Sequence, residues 1–507
     1  MTAGLAEGRR GAAPMLVLLT ASAGCALTVL DANVIGIVLP IVARDFGATF
    51  AQTAWVVSAF MLCFSAMLLP AGAVADRFGR RRVFLVGLAA YALGSLLCGF
   101  AASIVWLHVA RALQGAASAF VLAPALAIIG HGFHGEAERN RAWAIWGGIM
   151  GLTMVLAPIL GGVIAARLGW RAAFLVNLPI CAALGTAAVL WVGESRHEPA
   201  RRLDPAGILL FATLMFGLTW GLIRGQAEGW TSAEALAGFG LGACALAGFV
   251  LVERRLAEPM LDLGLFREPR LIGGVWAMFA YAACAQVMAS LLPLLLQNGA
   301  GYTPLGSGVM MLPFGIAMLA FPQVGRILSR SLTSAHILPL GLAVVGVGNA
   351  LAGWGAGWGA MPVVLVGMAV LGAGGGLLNG ETQKAILAVV PRARAGMGSG
   401  VSTTARFSGV LLGFTMLGGV MAAAARARLA GASCSDGTPC APAFADAVAA
   451  GDLPRAVAGL HGAEREAAEA LARAAYLGGF SAALYAAALI ACVSAVAIWF
   501  LMRARAR

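Results

Sequence analysis

An α-helix needs about 20 consecutive, mostly apolar residues to cross the hydrocarbon core of a bilayer. This chain contains about fourteen such stretches. They cover roughly 15–40, 51–74, 83–102, 105–130, 142–166, 171–193, 205–223, 235–252, 271–297, 305–325, 335–355, 361–390, 399–425 and 476–502. Inside lipid every backbone polar group must be satisfied within its own segment, so repeated runs of this kind leave a bundle of membrane helices as the fold. Of the 507 residues 61% are hydrophobic and 11% charged, where a soluble chain carries about 45–50% and about 25%. That excludes an ordinary cytosolic enzyme, a disordered chain and a coiled coil. The first run follows Arg9 and Arg10 as a signal peptide would, but it is too long for one and further runs follow.

The net charge of +12 would point to nucleic acid in a soluble protein. Here it follows the topology. With the N-terminus taken as cytoplasmic, the cytoplasmic loops carry Arg77, Arg80, Arg81 and Arg82, then Arg139 and Arg141, then Arg196, Arg201 and Arg202. Further along come Arg254, Arg255, Arg267, Arg270, Arg326, Arg330, Arg392 and Arg394, and the tail adds Arg503, Arg505 and Arg507. The short opposite loops hold only Arg44, Arg167, Arg171 and Arg224. This positive-inside bias places both termini in the cytoplasm. No nucleic-acid partner is needed to explain it.

One opposite loop is long, 427–475. It contains Cys434 and Cys440 beside Pro439, and an E-R-E-A-A-E run at 464–469 that reads as a short helix. Outside the cell the two cysteines are candidates for a disulfide, with two free thiols as the alternative. The other cysteines sit mostly in apolar runs, and neither a CxxC nor an HExxH spacing occurs. With no metal cluster, no Ser/His/Asp set and no phosphate loop, neither an enzyme nor a metal or organic cofactor is expected.

After the second span the chain reads Gly72-x-x-x-Asp76-Arg77-x-Gly79-Arg80-Arg81-Arg82. Glycine permits a tight turn, and the acid can cap the helix that follows. A plain positive loop explains the arginines but not the Gly/Asp spacing. These residues resemble motif A of the major facilitator superfamily. Arg111-Ala-Leu-Gln114-Gly115 on the fourth span resembles motif B. Gly147-Gly148, Gly151 and Ala157-Pro158-Ile-Leu-Gly161-Gly162 on the fifth resemble motif C, the antiporter signature, with Ala157 where glycine is usual. Leu30-Asp31-Ala-Asn33-Val-Ile-Gly36 and Trp170-Arg171-x-x-Phe174-x-x-Asn177-x-Pro179 resemble hallmarks of the 14-helix drug:proton antiporters. Gly325-Arg-Ile-Leu-Ser329-Arg330 repeats the motif A spacing in the second half, with Ser329 in place of the acid.

The resemblance implies an all-α membrane protein of the major facilitator fold, two six-helix bundles plus two extra helices. The divisions are then 1–195 for the first bundle, 196–268 for the inserted pair and 269–507 for the second bundle. It further implies proton-driven export of amphipathic drugs by alternating access, with Asp31 and Arg111 as proton-coupling residues and Gly72, Asp76, Arg77, Gly79, Arg80 and Arg81 as a cytoplasmic gate. A narrow-specificity exporter of one metabolite, siderophore or antibiotic is the alternative. The resemblance implies a bacterial inner membrane, with the lipid, a small molecule and protons as partners, a periplasmic adaptor protein as a candidate partner at the 427–475 loop, and the proton motive force in place of a cofactor.

Ionisable residues within the spans are few, and such residues are costly enough to suggest function. Asp31 and Arg111 lie at similar depth, about 9–13 Å from the outer surface, and can pair or face one cavity. A static ion pair that orders packing is the bland alternative. Glu381 and the single lysine, Lys384, are i,i+3 neighbours. They form either a neutralised interface pair or, through Glu381, a second proton site. Asn33, Gln114, Gln286, Asn298, Phe314 and Arg406 are candidates for a substrate cavity, as against ordinary packing or a membrane-edge anchor.

Overall fold

The computed structural model describes residues 14–133, 136–195, 204–256, 263–390, 395–430, 442–451, 453–457 and 460–503. Cys434 and Cys440 lie outside these, as do Arg9, Arg10, Arg196, Arg201, Arg202, Arg392, Arg394, Arg505 and Arg507. The described residues form helices and turns, with no strand among them. The first bundle is built from α1 (Pro14–Phe46), α2 (Phe50–Phe78), α3 (Arg80–Gly99), α4 (Ile104–Gly132), α5 (Glu136–Arg167) and α6 (Trp170–Trp191). Two helices that pack on each other follow, α7 (Pro205–Glu228) and α8 (Ala233–Arg255). The second bundle comprises α9 (Pro269–Gly299), α10 (Pro304–Leu328), α11 (Ser334–Gly357), α12 (Met361–Val389), α13 (Ala395–Ala430) and α14 (Gly462–Arg503).

Thirteen of these helices are each long and apolar enough to span a membrane, and α2 makes up to fourteen when its two arms are taken together. Its arms meet at 48° before Pro70, where the proline removes a backbone donor and crowds the preceding turn. In α9 two π turns, Ala282–Gln286 and Leu295–Gly299, interrupt the α pattern. Such turns recur at functional sites, and these carry Gln286, Gln297 and Asn298.

Several helices run past the limits of their apolar stretches, α1 and α14 among them. The first helix runs to Phe46 instead of residue 40, held by Arg44 Nε donating to the Pro40 carbonyl and by the Asp45–Arg171 ion pair. The last helix starts at Gly462, not 476, so the polar 464–469 run is its first turns. Alanine-rich sequence and the Arg465–Glu469 i,i+4 pair carry the helix beyond its apolar part.

The helix ends define two faces. One, the Arg80 face, holds the α2–α3 turn, the end of α6, the starts of α9 and α11 and the ends of α12 and α14. The other, the Trp170 face, holds the α1–α2 and α5–α6 turns and the α9–α10 turn. The bundles touch toward the Trp170 face, where α1 meets α9, α5 meets α10 and α2 meets α13. Helix α7 packs against α2 and α13 together, so it lies along the seam, and α8 packs on α7.

Candidate functional site

Inside the first bundle, Asp31 on α1 and Arg111 on α4 form an ion pair, Nη1 to Oδ2, of 2.6 Å. Their side chains are 3% and 0% exposed. Taking two charges out of water is costly unless further hydrogen bonds are made, and here several converge. Gln114 lies one turn along α4 from Arg111. Its Oε1 accepts from Arg111 Nη1 at 2.7 Å, while its Nε2 donates to Asp31 Oδ1 at 3.1 Å and to Ser95 Oγ at 2.8 Å. Asn177 opens the second arm of α6 just past a break at Val176, and its Nδ2 lies 3.3 Å from Asp31 Oδ1. Arg111 Nε donates to the Val56 carbonyl at 3.1 Å, and the guanidinium stands 4.2 Å from the Phe60 ring. Its Nη2 is buried and has no partner among the described residues.

The expected pairing of Asp31 with Arg111 is therefore present. Gln114 belongs to this packed network rather than to a cavity wall. Asn33 is buried too, and its amide donates to the Val29 carbonyl of its own helix. Ser95 and Asn177 hold the network to α3 and α6; Asn177 belongs to the Trp170–Pro179 motif, whereas Ser95 carries no sign in the sequence.

At the Arg80 face, Gly79 turns the chain with φ +107°, a conformation that favours glycine. Asp76 accepts from Arg80 Nη2 at 2.9 Å and Nε at 3.1 Å. The expected capping role falls to another residue. Glu194, just past α6, accepts from the backbone N–H of Arg81 at 3.1 Å and of Arg82 at 3.2 Å. Asp76 sits in the last turn of α2, one helical turn from the Arg80 side chain, and is taken up there. Arg81 reaches back to the Val189 carbonyl at 2.9 Å, and Arg77 lies over its neighbour Phe78. Gly72 meets no neighbour that a methyl group would touch.

The motif C residues form the seam. A Cβ on Gly162 would stand 2.6 Å from the Pro304 carbonyl oxygen, and one on Gly308 would stand 2.5 Å from that of Pro158. The backbones of α5 and α10 are thus in direct contact, and only glycine allows it. Gly151 faces Leu319, and Gly161 faces Val34 and Ile37 of α1. Across the same seam Gln297 Nε2 donates to the Ile37 carbonyl at 3.0 Å, and the Phe64 and Phe407 rings meet edge to face at 4.2 Å.

In the second bundle Glu381 accepts from Ser334 Oγ at 2.6 Å and from Lys384 Nζ at 3.0 Å. It is not part of the Asp31 network. Arg406 Nε donates to Gln286 Oε1 at 2.9 Å, and Tyr281 OH to Asn379 Oδ1 at 3.3 Å. Asn298 lies apart, near the Trp170 face, donating to Tyr476 OH. Phe314 is buried in α10.

The sequence profile of the Major Facilitator Superfamily matches residues 21–414. The chain belongs to that superfamily. Its relatives within the family include the multidrug resistance protein Stp of Mycobacterium tuberculosis, 34% identical over 81% of this chain and 76% of that protein. The tetracenomycin C resistance and export protein of Streptomyces glaucescens is 32% identical over 82% and 77%. Among solved structures, a bacterial homologue of the lysosomal transporter Spinster shares the fold with a TM-score of 0.62 at 18% identity, covering 97% of both chains. A peptide transporter POT does so with 0.63 at 15%, covering 96% of both. Members of the family are transporters, and the homologues are named multidrug and antibiotic efflux pumps.

Proposed function

We propose that this chain is a proton-coupled exporter of amphipathic small molecules, set in a bacterial inner membrane with the Arg80 face in the cytoplasm. The arginine bias of the loops and the names of the relatives support the reading. The observation that carries it is the buried Asp31–Arg111 pair joined through α1 to the seam. Val34 and Ile37 lie one and two turns along α1 from Asp31. Both pack on Gly161, and the Ile37 carbonyl holds Gln297 of the other bundle.

A proton on Asp31 removes the negative charge that balances Arg111 and weakens the donors gathered on it. The arginine is then a lone buried cation, which is costly. Helix α1 shifts relative to α4, and its contacts at Gly161 and Gln297 shift with it. The two orientations of the bundles therefore bind the proton differently, which is what a coupled transporter requires. Asp76 and its arginines act as the latch of the Arg80 face, exchanging the internal Asp76–Arg80 pair for contacts with the second bundle when that face closes.

The test is dye accumulation in a host stripped of its own efflux pumps. Expression lowers accumulation of an amphipathic dye, and a protonophore restores it. Equal accumulation with and without the chain overturns the reading. Whether one endogenous compound or many drugs are exported is decided by comparing a drug-susceptibility panel with supernatant metabolomics in a deletion strain.

A further inference from the structure

The charges set well inside the helices do not cancel equally. Asp31 is neutralised by Arg111, and Glu381 by Lys384. Arg406 has no such partner. Its Nε donates to Gln286 Oε1, a neutral acceptor, and among the described residues no carboxylate pairs with it. A guanidinium stays charged at any physiological pH and presents five N–H donors. One is used here. The residue is only partly buried, so its other donors are not enclosed by the protein. Arg406 stands about three helical turns into α13. An unpaired cation at such depth is tolerated where it faces water or a ligand.

Its place fits that condition. Phe407, the next residue, touches Phe64 of the first bundle. Gln286 lies in the π turn of α9, the helix that meets α1 of the first bundle. The guanidinium is thus flanked by the two lines along which the bundles touch, on the side of the second bundle turned toward the first. Tyr281 and Asn379 extend the polar strip without adding charge.

We infer that Arg406 is a substrate-binding residue, and that it selects amphipathic molecules bearing an anionic or strongly accepting oxygen, such as a phenolate, carboxylate or quinone carbonyl, over lipophilic cations. The inference rests on the export reading and narrows it. A cationic drug meets at this point a like charge with no carboxylate to offset it. An acidic aromatic compound meets free donors in a fork that suits two oxygens.

The experiment uses the purified full-length protein in detergent and two fluorescent probes, the acidic 8-anilinonaphthalene-1-sulfonate and the cationic ethidium. Each is titrated against the parent chain, Arg406→Gln, Arg406→Lys and Gln286→Glu, with fold checked by thermal unfolding. The last variant keeps the arginine but supplies a carboxylate beside it. The acidic probe is expected to weaken by tenfold or more in Arg406→Gln and in Gln286→Glu, at about the strength of a hydrogen bond to a charged group. Arg406→Lys retains most of the binding, and ethidium does not weaken in any variant. Acidic-probe binding that ignores both Arg406→Gln and Gln286→Glu overturns the inference, as does tighter binding of ethidium than of the acidic probe by the parent chain. Transport into everted vesicles separates the two levels. Energised uptake of ethidium alone leaves the export reading standing and removes the inference. Arg406-dependent binding of the acidic probe with no energised uptake of either probe keeps the site and removes the export reading.

Discussion

Replacing Asp31 by Asn keeps the shape of the side chain and removes its charge. Asn retains an oxygen for Gln114 and Asn177, but Arg111 Nη1, 2.6 Å from Oδ2, loses its counter-ion. If the amide nitrogen takes that place, donor faces donor. Breaking a buried ion pair from one side costs about 3–5 kcal/mol, because the remaining charge is still buried. Arg111 has no route to water in this state, being 0% exposed with Nη2 already unpartnered. In a chain of this size the loss corresponds to a fall of roughly 3–5 °C in Tm. Arg111→Gln leaves Asp31 unbalanced and costs a similar amount. The double variant Asp31→Asn/Arg111→Gln places two amides side by side with no buried charge, so it is expected to lose less than the two single variants together, with a coupling of at least about 1.5 kcal/mol. Thermal unfolding followed by tryptophan fluorescence in detergent reads all four forms. Strict additivity of the single variants refutes the reasoning, since it would mean that neither charge depends on the other.

Two further perturbations follow from the geometry. Gly162→Val forces α5 away from the Pro304 carbonyl, so the Trp170 face opens more often; a cysteine placed at Gln297 is expected to react faster with a membrane-impermeant maleimide added on that side, and an unchanged rate contradicts the seam. Glu194→Ala removes the acceptor of two backbone N–H groups at the start of α3, a loss of about 1–2 kcal/mol locally. Hydrogen exchange at Arg81 and Arg82 is expected to quicken by about tenfold or more, and unchanged exchange shows that Glu194 does not hold the turn.

The spans were legible because an apolar run of about 20 residues satisfies its backbone hydrogen bonds in lipid as a helix; thirteen qualify singly, and α2 qualifies only with its two arms joined. The Asp31–Arg111 pair was legible because two opposite charges at similar depth in a bilayer have few other partners. The network bonds of Gln114 could not be told from its polarity, since an amide looks the same on a cavity wall and inside a network. Its position one turn from Arg111 was the available sign. Glu194 was hidden by distance along the chain, as its bonds to Arg81 and Arg82 exist only once α6 returns beside α3. The helical start of α14 was masked by polar sequence, because the reading measured apolarity and the helix there depends on propensity. Pro158 and the glycines of α5 resembled motif C, but a motif on one helix does not name α10 as the helix that it meets.

The central claim is that Asp31 couples a proton to the movement of substrate. Liposomes holding the purified chain, with an imposed proton gradient and a fluorescent substrate, test it most directly. Wild-type protein is expected to move substrate against its gradient only while the proton gradient lasts. Asp31→Asn is expected to lose that concentrative transport while still exchanging substrate for substrate. Concentrative transport by Asp31→Asn at the wild-type rate would contradict the account.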